Sequence, residues 1–123
     1  MRRLFMAALL AALPASAAAP APVTRIDVIA KPAAYIGKCP ANLSFIATIR
    51  VARWPLVVEY QWERSDGSRT RRERVQIRGA SQGVTDLRRI GRRGQRLRVW
   101  QRLHVLAPNP LTSRQARAIV TCR

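Results

Sequence analysis

One histidine, two cysteines and six carboxylates are the side chains of this 123-residue chain best suited to chemistry. Their spacing assembles none of the usual catalytic sets. His104 stands between Leu103 and Val105 with no acid near it in sequence. A general base needs an orienting partner and a group to deprotonate, and the alternation of its segment places His104 on a solvated face. Ser65 and Asp66 are accounted for by a turn at Asp66-Gly67. Glu59, Glu63 and Glu73 face arginines on two adjoining extended segments, the pattern of cross-strand ion pairs. A zinc site clusters several Cys and His ligands, and here two distant thiols and one imidazole are all that is on offer. No Gly-Lys-Ser/Thr follows the turn glycines, so none of them forms a phosphate loop. These residues predict no catalytic set, no metal and no cofactor.

The cysteines carry a different chemistry, set by compartment. The chain opens "MRRLFMAALLAALPASAAAP". Arg2 and Arg3 precede an apolar run of about ten residues, the length of a signal-peptide core and too short to span a bilayer. Ala15-Ser16-Ala17 fits a cleavage site with the cut after Ala17 or Ala18. Residues 1–18 are therefore expected to be a signal peptide. The product is expected to be exported, periplasmic or secreted, with no membrane span left after its removal. In an oxidising compartment two thiols pair, so Cys39 and Cys122 are expected to form a structural disulfide. A loop of about 84 residues closed this way stabilises by roughly 4–5 kcal/mol in the chain-entropy model, comparable with the net stability of a small domain.

The elements that position these residues read as strands. After a lead over 19–22, "VTRIDVIA" is a first edge strand. "PAAYIGKCP" is punctuated by Pro32, Gly37 and Pro40 and reads as a bend. "NLSFIATIRV" alternates cleanly, with Leu43, Phe45, Ala47, Ile49 and Val51 on one face. "LVVEYQWERSDGSRTRRERVQI" is a hairpin. A two-residue type I′ turn at Asp66-Gly67 sets Val58 opposite Val75, Leu56 opposite Ile77 and Glu59 opposite Arg74, with Arg71 over the Trp62 ring. "VTDLRRI" is a further strand, and "GRRG" over 91–94 reads as another hairpin turn. In "QRLRVWQRLHVLAP", Leu97, Val99, Leu103 and Val105 point inward. Ala116, Ala118, Val120 and Cys122 do so on the last strand. About seven short strands and no helix predict an all-β antiparallel sandwich, with residues 19–34 as lead and first edge strand and 35–123 as the sandwich proper.

Twenty-three basic residues against six acids give a formal charge of +17. The outward face of the segment from Arg96 to His104 reads Arg96, Arg98, Trp100, Arg102, His104. Arg88 from the neighbouring strand and Arg92 and Arg93 from the turn extend it, and Arg69, Arg71 and Arg72 add to it from the hairpin. Arginines around one aromatic make an anion-binding format; the plainer alternative is a solvated charged face.

The ordered set "YIGKCP", "YQWERSDG", "VTDLRRIG", "LHVLAPN" and the terminal "TC" resembles small secreted bacterial immunoglobulin-like domains, over residues 35–122. Those read Tyr-x-Gly-x-Cys-Pro, then Tyr-x-Trp-x-x-Ser-Asp-Gly, then Val-x-Ser-Pro-Asn and a Cys near the end. This chain departs from them at Arg88 and Arg89, where an aromatic is usual, and at Ala107, where a serine is. The resemblance implies an immunoglobulin-like sandwich with its disulfide and carries over no catalytic residue. The expected function is non-enzymatic binding through the basic face, to an anionic envelope polymer or an acidic protein. A purely structural or assembly module acting through strand edges and loops such as "RWPL" is the alternative. Export and the lack of a reading helix or stacking platform argue against nucleic acid.

Overall fold

The computed structural model describes residues 5, 7–11 and 20–123; the expected signal peptide lies largely outside the described residues. Among the described residues nine strands are formed: β1 (Val23–Lys31), β2 (Ala34–Gly37), β3 (Ala41–Val51), β4 (Leu56–Arg64), β5 (Glu73–Ile77), β6 (Ser81–Ile90), β7 (Arg96–Ala107), β8 (Leu111–Thr112) and β9 (Ala116–Cys122). They make two sheets. One has the order β1-β3-β6, the other β2-β9-β7-β4-β5 with β8 paired to β7. All pairings are antiparallel except β2 with β9.

Period-2 alternation explains how both sheets bury one face. On β3, Leu43, Phe45, Ala47, Ile49 and Val51 are buried, and Val120, Val58, Trp62, Leu103 and Val105 meet them from the larger sheet in one continuous core. Each large side chain buried in this way contributes about 1.5–3 kcal/mol. β1 belongs to the same body, since Val23, Ile26 and Val28 lie in that core. Cys39 and Cys122 are bonded, with 5.4 Å between their Cα atoms. The bond ties the entry to β3 to the end of β9.

Four local expectations are corrected. The bend at "PAAYIGKCP" contains β2, which pairs in parallel with β9 from Ala34 opposite Ile119 to Gly37 opposite Cys122; four residues are too few for a period to be visible beforehand. The "GRRG" segment is not a hairpin turn, because β6 pairs with β3 whereas β7 pairs with β4 and β9, so it carries the chain between sheets. The β4–β5 hairpin keeps the expected pairs Leu56–Ile77, Val58–Val75 and Glu59–Arg74, but its tip is a three-residue loop. Arg64 and Ser68 pair across it, and only Gly67 has a positive φ. A type I′ turn would have placed Asp66 there as well; the extra loop residue is absorbed before Glu73. Lastly, Trp62 is buried in the core while the exposed Arg71 pairs with Glu73. The cation–π contact is instead Arg102 over Trp100, 5.5 Å from the ring centroid.

Candidate basic interface

The six carboxylates decide where positive charge is left free. Five of them take arginine partners. Asp27 pairs with Arg25 and Arg50, Glu59 with Arg72, Glu73 with Arg71, Asp86 with Arg64, and Glu63 with Arg69 and Arg102. Asp66 accepts from the backbone and hydroxyl of Ser68 and closes its own turn. All six lie on β1, β4, β5, β6 or the β4–β5 turn. The outer face of the larger sheet is therefore divided. Its β4–β5 half is laced with ion pairs, and its β7–β9 half carries no acid at all.

On that acid-free half, Arg96 and Arg98 are exposed on β7 and Trp100 is half-buried. β9 runs beside it in a register that sets Arg117 opposite Trp100, Ile119 opposite Arg98 and Thr121 opposite Arg96. Arg98, Trp100, Gln115, Arg117 and Ile119 line a shallow depression. Successive same-face side chains on a strand stand about 6.8 Å apart, so Arg96, Arg98 and Trp100 span roughly 14 Å. Arg92 and Arg93 lie in the connection that precedes β7. Arg93 shares a second depression with Lys38, Cys39 and Arg123 at the disulfide end.

Of the residues expected on this face, Arg96, Arg98 and Trp100 follow one another on the same side of β7, while Arg92 and Arg93 stay in the β6–β7 connection. Arg102 is on the face but committed: its Nη2 and Nε donate to the Glu63 carboxylate, both at 3.0 Å. Arg69, Arg71 and Arg72 are likewise paired. Arg88 does not join the face. It sits on the inner side of β6, in the other sheet, and donates to Gln101 Oε1 at 3.1 Å. Burial, with the charge of Arg64, pushes its guanidinium below the ordinary arginine value. Alternation alone placed Arg88 on a strand; which sheet that strand joins was not visible.

His104 is also not a solvated surface group. Its side chain is 15% exposed, with Nε2 2.7 Å from Glu63 Oε1 and Nδ1 2.9 Å from Thr112 Oγ1. Hydroxyl, imidazole and carboxylate in series have the outline of a nucleophile relay. Glu63, however, is shared with two guanidinium groups. Arg102 first and His104 second hold its carboxyl below the ordinary 4.5, so its charge is already spent on fixing the sheet face. No protein-family model matches the chain, and no curated protein does. Function therefore has to be read from the geometry.

Two features were missed in the sequence. Arg117 and Ile119 had a signal, because Ala116, Ala118 and Val120 point inward and so put them outward, but their place beside Arg98 and Trp100 needs the β7–β9 register. Gln101 had none: it occupies an inward position of β7 and is 1% exposed. Its Nε2 donates to Asp86 Oδ2 at 2.8 Å, and Arg64 Nη2 donates to the same oxygen at 3.0 Å. Arg64 and Gln101 come from one sheet, Asp86 and Arg88 from the other. Arg64, Arg88 and Gln101, together with Phe45 and Trp100, line a depression of about 80 Å³. This network joins the sheets at one end of the core.

Proposed function

We propose that this chain is an exported immunoglobulin-like sandwich domain that binds anionic partners without catalysing a reaction. The strand orders β1-β3-β6 and β2-β9-β7-β4-β5 support the sandwich, since they follow the chain order A-B-E and A′-G-F-C-C′ of immunoglobulin-like domains. The disulfide differs from the B–F bridge of antibody domains, as Cys39 precedes β3 and Cys122 ends β9. That bond and the leader-like N-terminus support export. The described residues hold no helix long and apolar enough to cross a membrane.

The observation that carries the binding function is the acid-free β7–β9 half-face, with Arg96, Arg98 and Arg117 around Trp100. Arg117 donates to Gln115 Oε1 at 3.2 Å, but none of the three is paired with a protein carboxylate, so their guanidinium groups are available for bidentate contact with carboxylate or phosphate. Long-range attraction from the net charge raises the encounter rate. The test is retention on isolated cell envelopes. Arg96→Glu, Arg98→Glu and Arg117→Glu combined should abolish retention that the unaltered protein shows at low salt, with Tm nearly unchanged. Retention that survives the triple change refutes the assignment. Exposure of Trp54 at 51% and Val57 at 52% favours a second, purely structural role through the β3–β4 turn and nearby surface. That role requires association insensitive to salt and lost in Trp54→Ala.

A further inference from the structure

Resting on that binding function, we infer the class of occupant: an extended acidic polypeptide segment, with carboxylates at every second residue, lying along β7. The cations define a ruler. Arg96 and Arg98 project from one strand at i and i+2, and Trp100 continues the row at i+4. A strand repeats its same-face side chains every 6.8 Å or so, and so does any other extended polypeptide. A segment of pattern acid-x-acid-x-apolar therefore brings a carboxylate to Arg96, another to Arg98 and an apolar side chain to Trp100, with no loss of phase along the row. Ile119 and Arg117 on β9 border the last two positions. They supply an apolar wall beside the second carboxylate and a further cation beside the apolar side chain. The row ends at Arg102, whose guanidinium is already closed onto Glu63. The protein's own hairpin uses related pairing, with Glu59 and Glu63 of β4 closed onto Arg72 and Arg69 of the segment that leads into β5. A second copy of this chain is excluded as occupant by charge, since each copy carries +17 and has no acid-rich stretch to offer.

The experiment compares two synthetic ten-residue peptides of identical composition, one with acids at alternate positions and a leucine following them in phase, the other with its acids contiguous. Polygalacturonate and inorganic polyphosphate are included as other polyanions. Binding is measured by isothermal titration or fluorescence anisotropy at fixed low salt. The alternating peptide should bind about fivefold more tightly than its isomer, since each exposed ion pair placed out of phase forfeits part of a small contribution. That preference should vanish in Arg96→Ser/Arg98→Ser and persist in Arg78→Ser on the far edge of the sheet, with Tm unchanged in both. Equal affinity for the two isomers, or tighter binding of polygalacturonate or polyphosphate at matched anion concentration, overturns the peptide assignment and leaves the general anion-binding function standing. Absence of binding to every probe overturns both.

Discussion

Gly91 offers a measurement of how tightly the disulfide is packed, with its control built into the same connection. Gly91 and Gly94 bracket the crossing from β6 to β7, and both have positive φ, +96° and +85°. A side chain at either position carries the left-handed backbone cost of about 1–2 kcal/mol. Their surroundings differ. A Cβ on Gly94 meets nothing within 4 Å, whereas one on Gly91 would stand 2.6 Å from Cys122 Sγ and 3.1 Å from Cys39 Sγ. Neither sulfur can swing away, because each is bonded to the other and Cys122 is buried. Overpacking of this kind adds about 1–3 kcal/mol. Gly94→Ala is thus expected to lose about 1 kcal/mol and Gly91→Ala about 3 kcal/mol, read as shifts in the urea midpoint at constant m-value. In a domain of this size the larger loss lowers Tm by more than about 10 °C. Equal losses for the two variants would refute the packing of the β6–β7 connection against the disulfide.

Three further outcomes follow from the same geometry. Asp86→Ala removes the acceptor shared by Gln101 and Arg64; with Asp86 and Arg64 16% and 26% exposed, the loss should be about 2–4 kcal/mol, and a double-mutant cycle with Arg64→Ala should show coupling between the two. Glu63 has a folded-state value held below the ordinary 4.5, so its contribution is fully present above about pH 4.5 and lost as pH falls through the lowered value. The stability gap between the unaltered protein and Glu63→Gln should therefore be widest near neutrality and close on acidification in urea titrations. Cys39→Ala/Cys122→Ala should lose about 4–5 kcal/mol, and mass analysis of the unaltered protein should show no free thiol.

The strands and the disulfide were legible because alternation and cysteine placement are local or nearly local signals. The inward sets on β3, β7 and β9 follow from parity alone, and the hairpin register follows from opposing charges and apolar pairs across one turn. What was hidden depends on which strands become neighbours. β2 exists because β9 lies beside it, and the "GRRG" segment looks like a hairpin until β6 is seen to pair with β3. Gln101 and Asp86 occupy inward positions that a hydrophobic pattern marks as errors. They are tolerated there because each satisfies a polar partner from the opposite sheet.

The same distinction governs the site. Composition shows that cations outnumber anions, but not which cations are spent. Arg102 looks equivalent to Arg96 and Arg98 along β7 and is not, because β4 brings Glu63 opposite it. Arg88 looks adjacent to that row and is not, because β6 belongs to the other sheet. The free positive surface is what remains after the acids have been distributed, and strand order distributes them: β4 and β5 carry theirs to one half of the larger sheet, while β7 and β9 bring none to the other. Placing an acid opposite Arg98, as Ile119→Glu does, would spend that arginine inside the molecule. On the proposed function, binding draws on unspent guanidinium groups and not on total charge, so Ile119→Glu should weaken it more than an equal charge change at Arg78, which lies beyond the face. Equal weakening by both changes would mean that only the overall charge of the molecule matters.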